Sequence, residues 1–580
     1  MWLAAMFALA HPRRVGDASE YVAMAGRLAS GKAPAMTADE MAAFTREWAG
    51  WSAGYELQTR QLAPLRGHDG RYDMPHPWVY SLLAVPGVWL ARGVGLADPW
   101  GLVAFNLVLV LQLLWLAARR GAGPWSLTLL GGPLVWWIDK PVSDLFMACV
   151  VGSAVLVWPH PASIALLGLA AGQNPALGLV AAVFTLAAVV AEPRRLRSWS
   201  WIGGVMLGLA CAGLPAAYYL VRLGRISPLS VWIGTVAWPP FGSLVFPLLD
   251  LNLGFVFRFL PGAVAVALAL CNPRGWRAPG AIPGAVGIAL LLLVVSQQPN
   301  HNHGGNPDFS RYWLWTWPLA LPWLLAQDAS PRRSVRVTGL VLLAAAAAWS
   351  TIAFRPTRDE SYRYPTRLAA WVWRTHPRWS SPSPEAFAER TSHREPGWVP
   401  TATPGCEKVL LYGGTWPASC PPISDAPEAC RAAGLYCYAN ARADGSYAFT
   451  MAGRPRVPDI VVHDRTWDRA DDVSAWVARR VSGAASGERD NAVANVRGAW
   501  HVAWRQAWTD HDGRLVLYAR DVGFDARLAM RHAGPVQITV ATPEGQVDQR
   551  RGVPAAAPTT VALPPGPHVL VVVRSEDGRP

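Results

Sequence analysis

Between residues 99 and 353 the chain alternates apolar runs with short arginine clusters, and that alternation leaves few folds open. The runs fall at about 99–117, 125–138, 144–158, 162–173, 176–191, 199–220, 251–270, 281–297, 312–326 and 335–353. Their lengths approach, or fall somewhat short of, the ~20 residues of a bilayer-crossing helix. The clusters are Arg119-Arg120, Arg194-Arg195-Arg197, Arg274-Arg277 and Arg332-Arg333-Arg336. The positive-inside rule places all four in the cytoplasm once one further helix is counted at the N-terminus, which makes about eleven spans. Residues 78–92 are also apolar, but a crossing there would turn Arg119-Arg120 outward, so they are read as a juxtamembrane or re-entrant piece. On this reading the loop at Asp17, the loop 139–144, the loop 297–311 and everything after Phe354 lie outside.

Composition agrees with a membrane chain that carries a polar appendage. Of 580 residues, 52% are hydrophobic and only 16% charged, which is too apolar for a soluble enzyme of this size. The net charge is +13, but much of the arginine sits in short clusters between apolar runs, where it sets membrane orientation, so no nucleic-acid partner is expected. No phosphate-cradling loop, nucleophile elbow or H-E-x-x-H motif is present, which disfavours a nucleotide-driven pump or an ordinary hydrolase. Residues 1–10 are far too short to span alone, so either the first helix is incomplete or the true start lies upstream. The missing basic n-region disfavours a cleaved signal peptide.

The stretch 15–30, VGDASEYVAMAGRLAS, stands just beyond this first apolar piece. Asp17 and Glu20 have capping-box spacing, followed by Tyr21, Met24, Ala25 and Leu28 at helical spacing. The plain reading of Asp17 is therefore a helix N-cap. A second capping box, Thr37 with Glu40, opens an amphipathic stretch carrying Met41, Phe44, Trp48, Trp51 and Tyr55 on one seam, suited to the headgroup region or to packing on protein. The first outer loop closes on His76-Pro77.

Asp17 with Tyr21 four residues on, and His76-Pro77 before the next apolar stretch, resemble the GT-C superfamily of polyprenyl-phosphate-dependent glycosyltransferases, in particular its bacterial mannosyl- and aminoarabinosyltransferase-like members. Ala18 departs from the pattern, because such proteins often have a second acid beside the first. Arg311-Tyr312 at the outer end of a span also resembles the Arg-Tyr these proteins carry there, and the short pair around Gln173-Asn174-Pro175 resembles their short central helices. The resemblance covers roughly residues 1–355. It implies an inverting enzyme of the inner membrane that takes a hexose or pentose from a polyprenyl-phosphate donor and gives it to a glycan, lipid or protein acceptor outside the cytoplasm. It also makes Asp17 the general base and His76, Arg311 and Tyr312 the donor-phosphate contacts. Asp144, Asp139 and Tyr21 are then expected to line the acceptor or a metal.

The same residues have plainer readings. Arg311 beside Tyr312, Trp313, Trp315 and Trp317 suits an interfacial snorkelling arginine, and Asp139-Lys140 suits an interfacial ion pair. His301, His303 and Asp308 are types that bind a divalent metal, although an H-x-H spacing in a Gly- and Asn-rich loop is weak evidence for one. Two other functions fit the architecture. A transporter or flippase would bury acids and bases in mid-span, where this sequence has few. A non-catalytic scaffold would only display the outer part.

The fold expected is a polytopic α-helical membrane domain over 1–354, with 11–77 as its first outer loop, followed by an extracytoplasmic mixed, β-rich part. Residues 355–440 read as loop-rich and disulfide-tied, and 441–580 as β-rich, with a small β-sandwich from about 498. Seven cysteines divide along the same line. Cys149, Cys211 and Cys271 sit in or beside apolar runs, whereas Cys406, Cys420, Cys430 and Cys437 lie in the polar part without a C-x-x-C pair, which favours disulfides over zinc. Three connectivities are open.

Overall fold

The computed structural model describes residues 2–48, 65–228, 241–296, 306, 309–358, 364–393, 400–412, 416–417, 419–421, 430 and 436–453, then a series of strands between Ile460 and Ser575. They form two compact units, one ending and the other beginning near residue 362.

The first unit is helical. Asp98–Arg119, Trp199–Leu223 and Arg333–Ala353 are long and apolar enough to cross a membrane. Their outward residues are apolar: Leu111, Trp115, Leu207, Leu214, Val221 and Val341 are all more than half exposed. A protein that presents such faces is a membrane protein. Asp98 and Pro99 start the first of these helices and Arg119 and Arg120 finish it, each charge favourable to its end of the helix dipole. Ser143–Val157 runs through the middle of the unit and is buried on nearly every side.

Ala162–Gln173 and Leu177–Ala191 are separate short helices, as the Asn174-Pro175 break implies. Residues 78–92 likewise form two short helices, Val79–Leu83 and Val85–Gly93. Three expected spans are broken. The 125–138 run is a helix, Pro124–Leu130, followed by a 3-10 turn at Pro133–Trp137. The 251–270 run divides into Phe255–Arg258 and Leu260–Leu270, and the 312–326 run into Arg311–Leu314, Trp317–Ala320 and Leu321–Asp328. Pro133, Pro261, Pro318 and Pro322 lie at these breaks, and each lacks the N–H an uninterrupted helix requires. Such breaks are tolerated because Leu134, Phe259 and Leu319 there are fully buried in protein.

Ala162–Gln173 and Trp199–Leu223 pack backbone against backbone. Gly168 faces Gly208, and a Cβ on Gly168 would collide with the Gly208 carbonyl. One turn further along in each direction, Gly172 meets the Cys211 carbonyl and Gly204 meets Pro161. Both helices thus carry small residues four apart along one seam. In lipid, where apolar surface gains nothing by leaving its surroundings, such close contact holds helices together.

The second unit opens with two helices, Arg367–Thr375 and Pro384–Ser392, capped by Thr366 and Ser383. An antiparallel meander follows: Thr401–Ala402, Lys408–Tyr412, Tyr436–Ala441 and Tyr447–Gly453 pair in sequence order. This segment therefore holds more regular structure than its Pro-rich composition suggested. Its core gathers Val409, Leu411 and Ala439 around disulfides Cys406–Cys420 and Cys430–Cys437, so the four polar-region cysteines pair between near neighbours. Beyond it lies a five-stranded antiparallel sheet. Its order is Gly545–Val553, Val536–Thr542, Gly566–Ser575, Leu515–Val522 and Val502–Thr509. Arg527–Met530 pairs with Thr559–Ala562, and Ile460–Val462 with Ala494–Val496.

Candidate active site

The helix Ala18–Ala29 begins in a way the capping-box spacing did not foresee. Gly16 adopts a left-handed conformation (φ 41°), and Asp17 follows with φ −78° and ψ 9° rather than the extended backbone of a capping residue. Its side chain therefore makes no cap hydrogen bond. The N-cap reading of Asp17 is overturned, whereas the second box, Thr37 with Glu40, is formed in both directions. Arg27 reaches from the first loop helix to Glu40 at 2.7 Å and ties the two together.

Freed from capping, the Asp17 carboxylate meets two cations. Arg311 Nη1 donates to its Oδ2 at 2.9 Å, and His76 Nε2 stands 3.4 Å from the same oxygen. His76 Nδ1 lies 3.0 Å from Glu20 Oε2, so the imidazole bridges two carboxylates. Glu20, only 3% exposed, thus faces His76 and is not half of a capping box with Asp17. Burial disfavours the charged imidazole, but Asp17 and Glu20 outweigh it and lift His76 to about 9. For Asp17, burial works against ionisation, yet His76 and Arg311 hold its carboxyl below the usual range. At neutral pH the cluster is a carboxylate between an imidazolium and a guanidinium.

Asp17 Oδ2 takes both contacts. Among the described residues nothing hydrogen-bonds Oδ1, and the side chain is 23% exposed. One carboxylate oxygen is thus pinned while the other accepts no hydrogen bond among the described residues.

The surroundings fix these groups from several elements. Tyr21, one turn along the loop helix, shares a 2.8 Å hydrogen bond with Ser143 at the start of the buried central helix. Gln173 Nε2 donates to the Tyr21 hydroxyl at 3.4 Å while its Oε1 accepts from the Tyr80 amide at 2.9 Å. Asp144, beside Ser143 and 4% exposed, feels the charges of Arg311, Asp17 and His76. The Tyr312 ring lies 5.8 Å from the Arg311 guanidinium. On the far side of His76, Tyr219 donates to the His76 carbonyl at 3.4 Å. Arg222, one turn further, binds Asp73 at 2.8 Å and Asp69 at 2.9 Å, and Tyr218 donates to Asp73 at 2.8 Å.

Arg311 is thus the ion-pair partner of Asp17 rather than a snorkelling interfacial residue. Asp139 and Lys140 are paired with each other but stand apart from this cluster and are fully buried, so they are no exposed interfacial pair. Lys140 also donates to the Pro356 carbonyl and lies 4.3 Å from the Trp136 ring, while Arg13 approaches Asp139 to 3.6 Å. Asn106 links this second group to the first, accepting from Tyr80 and donating to the Lys140 carbonyl. His301, His303 and Asp308 lie outside the described residues, as do Trp51 and Tyr55. Among the described residues, Asp17, Glu20 and His76 bring metal-ligand atoms within 4.8 Å of one another. A metal there would have to displace the proton that His76 holds between the two acids.

Glu20, Ser143 and Gln173 belong to the site, and the sequence reading assigned none of them to it. Gln173 carried a signal: a side-chain amide closing an apolar run at membrane depth is costly without a partner.

No protein-family model matches the chain, and no curated protein does. Among solved structures the chain is similar to the crystal structure of ArnT from Cupriavidus metallidurans in the apo state. Identity is 16% and the TM-score 0.39, over 60% of this chain and 62% of that one.

Proposed function

We propose that the protein is a membrane glycosyltransferase of GT-C type that moves a sugar from a polyprenyl-phosphate donor to a hydroxyl acceptor outside the cytoplasm. The observation that carries the reading is Asp17, ionised, fixed through Oδ2 between Arg311 and His76, with no hydrogen bond to Oδ1 among the described residues. Glycosyl transfer from a lipid phosphate needs both halves of that arrangement: a carboxylate to receive the acceptor's proton and cations to meet the departing phosphate.

In the proposed step the acceptor hydroxyl donates to Asp17 Oδ1. Its oxygen forms a bond to the anomeric carbon as the carbon–oxygen bond to the phosphate breaks. The electron pair leaves with the polyprenyl phosphate and the hydroxyl proton passes to Asp17. Arg311 suits the phosphate because its planar fork can offer a second N–H pair while one nitrogen stays on Asp17. His76 shares the positive charge, and Tyr21 and Asp144 lie where an acceptor or a metal would be lined. Attack opposite the leaving phosphate inverts the anomeric centre. On this reading the loops bearing Asp17 and Arg311, and the second unit, lie outside a bacterial inner membrane.

Purified protein given radiolabelled polyprenyl-phosphate sugars in lipid vesicles tests the reading. Transfer of label to an acceptor, with loss of lipid-linked label, is expected. Intact donor merely moved across the bilayer would instead establish a flippase. The same assay with and without a chelator tests whether a divalent cation takes part. Reporter fusions at Arg197 and Ser380 test sidedness, and signals from the same side would overturn it.

A further inference from the structure

The helix Arg367–Thr375 has two apolar faces, and the unit to which it belongs uses only one. Ala369, Val372 and Trp373 are buried, with the Trp373 ring 4.8 Å from that of Phe387, so the helix is fixed to its unit. On the other side Leu368 is 41% and Trp371 46% exposed. They are flanked along the chain by Tyr364 at 59% and Trp379 at 71%. His376 stacks on Trp379 at 4.0 Å and meets Trp371 edge-on at 5.5 Å, joining the two indoles into one platform. Arg367, Arg374 and Arg378 are exposed around it, and none pairs with a carboxylate among the described residues. Residues 364–379 contain no Asp or Glu.

We infer that this face lies on an anionic membrane surface, with the indoles and Leu368 at headgroup level and the three arginines on lipid phosphates. Tryptophan and tyrosine concentrate at that depth, and arginine adds electrostatic attraction to anionic lipid. Purely positive flanks around an aromatic centre match a negatively charged bilayer. The chain supplies the proximity: the last apolar helix ends at Ala353, and Arg367 cannot lie more than about 50 Å of chain beyond it. The second unit would thereby be held against the bilayer by its own surface as well as by its tether.

The test uses the full chain with Cys211 and Cys271 changed to Ser, so that a nitroxide can be placed at Thr375→Cys on the exposed stripe. The control is Ser446→Cys, in an exposed turn of the same unit. In vesicles of phosphatidylcholine with a minority of phosphatidylglycerol, the label at 375 is expected to be relaxed by oxygen more than by a water-soluble nickel chelate, with the reverse at 446. Changing Trp371 and Trp379 together to Gln should return the label at 375 to water. Each Arg→Gln change should lower the docked-to-free ratio about fivefold, an effect absent in pure phosphatidylcholine. Nickel access at 375 equal to that at 446 would overturn the inference. So would shielding from both reagents, which would mean that a second copy or another macromolecule covers the face.

Discussion

Arg311 Nη1 reaches Asp17 Oδ2 at 2.9 Å across 294 residues of sequence, joining the first outer loop to the start of a late helix. Because the carboxylate is spent on this pair and not on capping, Asp17→Asn is expected to cost both chemistry and packing. Turnover should fall about 10²- to 10⁴-fold, the usual loss for a general base. Arg311→Lys keeps the charge but loses the fork, and should raise the donor KM more than it lowers kcat. Steady-state rates in vesicles, with a thermal melt of each variant, separate the two. Near-native turnover by Asp17→Asn would remove it from the chemistry.

His76, raised from 6.5 to about 9 by its two carboxylates, makes the site sensitive to alkali. A raised histidine contributes stability that is complete below 6.5 and lost as pH climbs through 9. Asp17 acts at the other edge: held below 3.8, it contributes above that value and is lost as pH falls past it. Melting temperature and rate should therefore hold a plateau in acid-to-neutral solution and decline between about pH 7 and 9. His76→Gln should abolish the alkaline decline, and a pH series on both proteins measures it. Glu20→Gln removes one of the charges that keep the imidazole protonated and should move the decline toward lower pH.

Arg222 holds the loop that carries His76. Its substitution by Gln leaves the buried Asp73 carboxylate with Tyr218 alone, and breaking a buried pair in this way costs about 3 to 5 kcal/mol. As Arg222 is 15% exposed, the lower end applies. The expected signature is a fall in kcat with reshaped pH dependence, since Tyr219 and Asp73 flank the His76 backbone. Rescue by Arg222→Lys, which restores one ion pair, distinguishes positioning from general loss of fold.

Both disulfides close short loops, so each should contribute about 2 to 4 kcal/mol. Thiol labelling of denatured, unreduced protein should modify only Cys149, Cys211 and Cys271. Label on any of the other four would contradict the pairing.

Lys408 is fully buried, with Nζ bonded to the Pro377 carbonyl and Asn440 Oδ1 and 4.2 Å from the Tyr438 ring. Burial nevertheless pushes its ammonium down to about 7. The unfolded chain then binds a proton the folded one lacks between about pH 7 and 10, so stability of this unit should rise across that range. Lys408→Met should flatten the slope, as followed by denaturant melts at several pH values.

The two kinds of sequence signal differ in reach. Asp17, His76 and Arg311 stood out through the resemblance of their short motifs to those of a known family, and the structure brings all three together. Their connections were hidden. Nothing in residues 15–30 announces that Gly16 turns the chain or that the Asp17 carboxylate meets Arg311, far away in sequence, instead of capping. The capping-box pattern at Thr37 succeeded because its partners are local. The broken runs at Pro133, Pro261 and Pro318 show the same limit: hydropathy records burial, but lipid and protein bury a side chain equally well, and only tertiary packing says which.

The seam between Ala162–Gln173 and Trp199–Leu223 bears on how loss-of-function alleles would be read. Gln173 ends one of these helices and Tyr219 and Arg222 end the other, and all three support the cluster around His76. One methyl at Gly168 or Gly208 would wedge the two backbones apart and shift both sets of supports together, with every charged residue intact. In a genetic screen such alleles would sort with those of Asp17 and Arg311 although neither glycine bears a reactive atom, and a restoring second-site change would be sought in the facing backbone rather than in the acids and bases.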